Sequence, residues 1–379
     1  MKRRTFIATT ALASLGATQI GWAAAQTRTT FVSQEVDAML EVTKVPGVAV
    51  TGLIHGKPFE LFAGRRQSGK DEYISARTIF PAASLSKPVF AWAVCELVKE
   101  GKLDWNRPIE EYLPLGLTGE AKKITAEHCL AHTTGLVNWR FQASAQLSSS
   151  FTPGSRWQYS GEGIFLLQRV VEKITGTPIA AYMKRQVLTP LGMTSSTYAW
   201  TPQLLADAIS GHDSQGQPME RSLAFYERRN YDVLEKAGVT PDTVTYEQIV
   251  AAYERAKVVA LPVAISPNMA GSLQTTAADY ARFLAAVASD FPKRSSDFRP
   301  RIAVNRKMSW TLGLGIDTSL HRPAFFHWGD GPGTKNLAWV QPSRNLSLVF
   351  LTNGDRGSAL YGWLLRTLTG EDPATLYWV

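Results

Sequence analysis

Segments of strand length and composition stand only near the two ends of this chain, and that placement restricts the folds open to it. Gly47 to Ile54 is a short apolar run rich in Val; His55-Gly56-Lys57 makes a turn, and Pro58 to Ala63 returns, which reads as a β-hairpin. Toward the other end, Trp310 to Ile316, Ala324 to Trp328, Asn336 to Gln341 and Leu346 to Leu351 are short strand-like segments with turn signals between them. Tyr361 to Leu368 then reads as a closing helix. The middle is helical. Ser84 to Glu100 is patterned as a helix with Pro88 in its first turn, where backbone N–H groups lack partners anyway, and Gly101 is a natural stop. Glu162 to Ile174 places Ile164, Leu166, Leu167, Val170 and Val171 at helical spacing. Thr125 is placed to cap a short helix ending near Ala131, and Ile179 to Val187, Tyr246 to Lys257 and Ala277 to Ser289 read as further helices. This order argues for an α+β fold. An antiparallel sheet is built from both termini and flanked by helices, with a mostly helical region of about residues 102–290 inserted.

The first residues read as an export signal. Lys2, Arg3 and Arg4 form a basic start, Phe6 to Ile20 is only mildly apolar, and Ala23-Ala24-Ala25 offers small residues for a peptidase. The twin arginines followed by Thr5-Phe6-Ile7 suggest the twin-arginine route; an ordinary secretory signal that happens to carry two arginines gives the same address, outside the cytoplasm. A stable membrane span after signal removal is not expected, since a spanning helix needs about 20 mostly apolar residues. Residues 1–25 are therefore assigned to the signal and 26–379 to the mature protein, long enough for one big domain or two intergrown ones, in the periplasm or otherwise exported. The net charge of +8 falls to +5 once the three basic residues of that signal are removed. With no Lys/Arg-rich run in the chain, nucleic acid is not an expected partner. Cys95 and Cys129 each sit at an apolar position of a helix and read as two buried free thiols, although an exported protein would permit a disulfide. The six histidines are scattered, without the Cys/His clustering of a zinc site.

Three short motifs carry chemistry. In Ser84-Leu85-Ser86-Lys87, residues three apart on a helix share a face, with Cβ atoms about 5–6 Å apart, so hydroxyl and amine can meet. A serine hydroxyl needs a base to become a nucleophile, and a lysine serves if burial or a nearby cation lowers its pKa. The helix N-terminus adds N–H groups that favour a developing oxyanion. Tyr159-Ser160-Gly161 opens the Glu162 helix, and its phenol is suited to relay a proton. His327-Trp328-Gly329, then Asp330-Gly331-Pro332-Gly333, ends a strand in a manner that lets an extended substrate lie along the edge. Each has a plainer explanation alone: a capping serine, a core tyrosine, a glycine-rich hairpin turn.

Together and in this order the motifs resemble the family of class C β-lactamases, penicillin-binding proteins and related esterases and D-peptidases, which carries Ser-x-x-Lys, then Tyr-x-Asn, then Lys-Thr-Gly or His-x-Gly. Leu130-Ala131-His132-Thr133-Thr134-Gly135-Leu136 and Pro190-Leu191-Gly192-Met193 also look like family segments, and the likeness covers nearly all of the chain after the signal. The resemblance implies a β-lactamase/transpeptidase-like fold and catalysis through an acyl-enzyme, without metal or organic cofactor. It implies Ser84 as nucleophile, Lys87 as general base and Tyr159 as acid/base partner. The backbone N–H groups of Ser84 and Asp330 would form the oxyanion hole, with His327 standing where lactamases place a lysine and Gly329 and Gly161 bordering the substrate. Two departures bear on the substrate. Gly161 replaces the Asn of the second motif and removes an amide; His327 replaces a permanent cation and holds a carboxylate less firmly. Both lean the expectation toward small esters. A true β-lactamase, a D-Ala-D-Ala carboxypeptidase or D-aminopeptidase, and a non-catalytic penicillin-recognising protein that binds cell-wall peptides stay as alternatives. The expected partner is thus a small ester, a β-lactam or a short peptide. The charged stretch Met219 to Lys257 is a candidate lid, with Phe225, Tyr226, Tyr231, Tyr246 and Tyr253 available to line an acyl site; a helical insertion with its aromatics packed on the body is the competing reading.

Overall fold

The computed structural model describes residues 32, 34–142 and 145–378; the expected export signal, residues 1–25, lies outside them. Both chain ends do build one sheet. Its strands are β1 (Gly47–Ile54), β2 (Lys57–Gly64), β3 (Ile302–Ala303), β4 (Met308–Trp310), β5 (Gly315–Asp317), β6 (Ala324–Gly331), β7 (Thr334–Gln341) and β8 (Leu346–Thr352). The spatial order is β2-β1-β8-β7-β6-β5-β4-β3, and every neighbouring pair is antiparallel. The N-terminal hairpin joins the C-terminal strands through β1 and β8, with Val48 opposite Thr352 and Leu53 opposite Ser347.

Because strand side chains alternate, the sheet buries both faces in separate cores. Ala49, Phe325, Ala338, Val349 and Leu351 face a large core shared with α2 (Ser86–Lys99) and α8 (Ala277–Asp290). Their neighbours Val48, Val50, Phe326, Leu337, Leu348 and Phe350 face a second core under α1 (34–43) and α10 (Gly357–Thr369). The inserted region supplies α3 (Ala126–Leu130), α4 (Gly161–Thr175), α5 (Ile179–Met183), α6 (Leu223–Lys236) and α7 (Tyr246–Arg255), and a short α9 (Ser295–Phe298) precedes the C-terminal strands. A third, smaller core forms where α6 and α7 pack on Phe165 of α4, through Leu234, Ile249, Ala252 and Tyr253.

Two expected elements are divided. Trp310 to Ile316 is not one strand: Gly313 takes a left-handed φ of +94°, and Thr311 bonds Leu314 through both backbone and hydroxyl, so the chain reverses and β4 pairs with β5. The helix expected from Ile179 to Val187 ends as α5 and continues as a π-helical turn over Lys184–Leu188. Cys95 and Cys129 are buried free thiols. Among the described residues no helix is long and apolar enough to cross a membrane.

Candidate active site

Helix α2 is buried on nearly every side, and the segment Pro81–Ser86 that leads into it is held in place by polar bonds from four other parts of the chain. The Tyr198 hydroxyl donates to Ser86 O at 2.8 Å and the Tyr280 hydroxyl to Leu85 O at 2.9 Å. Asn336 of β7 donates to Pro81 O, and Ala82 N–H donates to Leu273 O. Ala83, directly before Ser84, has φ +49°, a left-handed conformation that disfavours an L side chain; the Ser86 hydroxyl fixes it by donating to Ala83 O at 2.6 Å. The short 3-10 turn Ala83–Leu85 therefore precedes the α-helix proper, and Ser84 sits at its start, where backbone N–H groups lack helical partners.

The motif spacing brings its groups together. Lys87 Nζ donates to Ser84 Oγ at 2.8 Å and to Ala270 O at 2.7 Å. Lys87 is only 2% exposed, and burial lowers the pKa of its amine from 10.5 to about 7. The Ala270 carbonyl is not a chance neighbour. Gln168 of α4 accepts from Met269 N–H at 2.8 Å and donates to Pro267 O at 3.1 Å, so the 267–270 loop is aimed at Lys87. Nothing in the sequence marked that carbonyl.

Tyr159 lies beside both groups. Lys87 Nζ is 4.9 Å from the centre of its ring. Burial raises the phenol pKa, with the neighbouring Ser84 hydroxyl opposing that rise; the Tyr159 hydroxyl is enclosed without a settled hydrogen-bond partner. His132 fixes this tyrosine at three points. Its O accepts from Gln158 N–H at 2.8 Å, its Nδ1 accepts from Ser160 N–H at 3.1 Å, and its ring stacks on Tyr159 with centroids 4.3 Å apart. Burial first, then the positions of Lys87 and His327, keep His132 neutral. His132 stands within a stretch that resembles a family segment, but its distance from Tyr159 along the sequence carries no sign of the stack.

The strand motif faces the same place. Pro332-Gly333 is a two-residue turn that pairs Gly331 with Thr334, and pairing alternates along the ladder. Gly331, Gly329 and His327 thus turn their backbone groups to β7, while Trp328 and Asp330 turn theirs to the opposite edge. Strand β5 covers that edge only at residues 324–326. Gly329 lies so close to the Ser84 segment that a Cβ there would meet Ala82 O at 2.3 Å, which excludes any side chain. The Asp330 carboxylate is exposed and paired with Lys335, so it is the Asp330 N–H that faces the open edge. His327 is fully buried. Its Nδ1 donates to Trp328 O at 2.7 Å, leaving Nε2 as an acceptor with no partner, and burial together with Lys87 lowers its pKa to about 3. It is a neutral hydrogen-bond acceptor and offers no charge to a carboxylate.

Gly161 opens α4, where its N–H donates to Asn138 Oδ1 at 2.8 Å. Of the aromatics in the insertion, Tyr253 is buried, Tyr246 packs on Phe165 at 5.6 Å and Tyr231 on Trp200 at 5.7 Å. Those three serve packing, whereas Phe225 and Tyr226 are exposed. Among the described residues no cluster of three or more His, Cys, Asp or Glu could hold a metal ion.

The antiparallel sheet with helices on both faces, and the Ser84 turn beside its β6 edge, define a β-lactamase/transpeptidase-like fold. A family model described as Beta-lactamase matches residues 32–371, and the chain belongs to that family. Esterase EstB of Burkholderia gladioli is 31% identical over 173 residues, which cover 38% of this chain and 44% of the esterase, so the match spans less than half of that relative. Penicillin-binding protein 4 of Amycolatopsis lactamdurans is 24% identical, covering 89% of this chain and 88% of its own length. Among solved structures, the D-alanine carboxypeptidase AmpC from Burkholderia cenocepacia superimposes with a TM-score of 0.67 at 16% identity, covering 92% of this chain and all (100%) of its own.

Proposed function

We propose that this protein is an exported serine hydrolase that cleaves small esters through an acyl-enzyme on Ser84. The observation that carries this reading is the buried Lys87 amine, 2.8 Å from Ser84 Oγ and with its pKa lowered to about 7. Near neutral pH a large fraction of that amine is uncharged, and over the same distance it accepts the Ser84 proton. Ser84 Oγ then bonds to the substrate carbonyl carbon, and the oxyanion accepts from the N–H groups of Ser84 and Asp330. As the tetrahedral adduct collapses, the bond to the leaving alcohol breaks. The alcohol oxygen takes the Tyr159 proton, and Tyr159 is reprotonated from Lys87. Water attacks the ester on Ser84 by the same route in reverse roles and releases the acid.

The lean toward esters rests on two features. His327 is neutral and so has no charge for a substrate carboxylate, and Gly161 offers no amide to a substrate carbonyl. A relative named as an esterase supports the same direction. The basic, weakly apolar residues 1–25 support an exported, periplasmic location. The test compares a short-chain aryl ester, a chromogenic cephalosporin and a D-alanyl peptide, each with wild type and Ser84→Ala. Ester turnover lost in Ser84→Ala is the expected result. Cephalosporin turnover exceeding ester turnover would replace the ester reading by a β-lactamase one, and stoichiometric penicillin labelling without turnover of any substrate would replace it by a binding protein.

A further inference from the structure

Gly161 is not simply a position that has lost a side chain, because the space is filled. Ser160 is extended, with φ −143° and ψ 112°, so Tyr159 and Gly161 project to the same side of the chain. A side chain at 161 would therefore point where Tyr159 points, toward Ser84 and Lys87. A Cβ built there would lie 2.2 Å from Trp139 Cζ2, 2.6 Å from Cε2 and 2.7 Å from Cη2. The six-membered edge of the indole occupies that volume.

Trp139 is also firmly placed. On one side of it, Asn138 accepts from Gly161 N–H through Oδ1 and from Glu162 N–H through its carbonyl, both at 2.8 Å. On the other, Arg140 N–H donates to Glu162 Oε2 at 3.3 Å, and the Arg140 guanidinium lies 3.3 Å from Glu162 Oε1. Both flanking residues are thus tied to the first turn of α4. The indole packs against the main core and against the small core of the α6–α7 insertion, yet remains only partly buried.

We propose that Trp139 is a specificity-determining residue: its indole forms one wall of the acyl site, accepts flat apolar acyl groups and turns away acyl groups that need an amide partner. This deepens, and rests on, the Ser84 hydrolase reading. A flat ring gives dispersion contact and excludes water, whereas an acylamino group pressed against it loses hydrogen bonds it had in water. The insertion takes part indirectly, because the small core it forms is one of the two that back the indole.

The experiment uses Trp139→Ala, Trp139→Phe, Gly161→Asn and the double variant Trp139→Ala/Gly161→Asn. Each is assayed with the p-nitrophenyl esters of phenylacetic acid and of N-acetylglycine, and each is titrated at Ser84 with a fluorophosphonate. Wild type is expected to favour the phenylacetyl ester. Trp139→Ala lowers the ratio of the two kcat/KM values about tenfold, the scale of a lost apolar contact in a pocket, and Trp139→Phe keeps it. Gly161→Asn alone loses activity because its side chain meets the indole; the double variant regains fluorophosphonate labelling and shifts further toward the acylamino ester. A Trp139→Ala enzyme that labels fully with an unchanged ratio would overturn the proposal, as would Gly161→Asn with wild-type activity and ratio. If Gly161→Asn does not fold, the Trp139→Ala and Trp139→Phe ratios decide alone. Absence of labelling in wild type would overturn the Ser84 reading itself, and so separates the two.

Discussion

The proposed acylation of Ser84 carries a pH dependence set by the burial of Lys87. A fall in pKa from 10.5 to about 7 corresponds to roughly 5 kcal/mol of lost preference for the charged amine. At pH 7 about half of the amines are then uncharged, against about one in 3,000 for an ordinary lysine. The single-turnover acylation rate should rise with pH and reach half its plateau near pH 7. The two histidines do not compete for this limb. His327 has its pKa lowered to about 3, and His132 lies well below its ordinary value. A His327→Asn variant should therefore lower the rate but keep the limb in place. Lys87→Arg, whose guanidinium stays protonated, should lose at least about 1,000-fold in acylation. The same shift makes Lys87 costly to the fold. Between pH 7 and 10.5 the unfolded chain binds this proton and the folded chain does not, so the lysine's contribution to stability falls as pH drops through that window. Lys87→Met should thus be inactive, yet melt several degrees higher than wild type at pH 6, with the gain vanishing by about pH 10. Stopped-flow acylation with an aryl ester and differential scanning calorimetry provide the readings. A half-plateau above pH 9, or Lys87→Arg with more than a tenth of wild-type rate, would refute the reasoning.

Three further outcomes follow from neighbouring groups. His132 acts on Tyr159 through a stack and a bond to Ser160 N–H; His132→Asn keeps an acceptor and His132→Phe keeps a ring, so each should lower kcat about tenfold with KM nearly unchanged, while His132→Ala loses more than either. Equal loss in all three would leave only a packing role. Glu227 is buried and its pKa is raised to about 8, so the wild-type fold loses stability as pH rises from 4.5 toward 8; Glu227→Gln should raise Tm by more at pH 9 than at pH 5. Cys95 and Cys129 are buried, with Cys95 pushed up to about 12 and Cys129 also raised; a thiol reagent should find neither in the native protein and two per chain in denaturant.

The periodic parts of this fold were legible because the pattern that marks them is local. Residues 47–63 and 324–351 alternate or run apolar at strand length, and Ile164 to Val171 repeat at helical spacing. The break at Thr311–Leu314 was not legible, since it depends on one left-handed glycine and a hydroxyl bond within an otherwise strand-like run. The same contrast holds at the site. Ser84 and Lys87 are neighbours by helix geometry, so their 2.8 Å contact could be anticipated from spacing alone. The Ala270 carbonyl, His132 and Trp139 reach the site from distant parts of the chain, and their positions are set by Gln168, by the backbone of 158–160 and by the first turn of α4. Gly161 shows the difference most clearly. Its identity reads as a missing amide, and only the fold reveals that an indole has taken the space.

The central claim is that Ser84 carries the acyl group. Intact-mass spectrometry of protein quenched in acid during turnover of an aryl ester tests it most directly. The expected spectrum shows one added acyl mass, mapped by peptide digestion to Ser84, absent in Ser84→Ala and accumulating in variants that slow deacylation. Ester turnover without any adduct on Ser84, or an adduct that persists in Ser84→Ala, would contradict it.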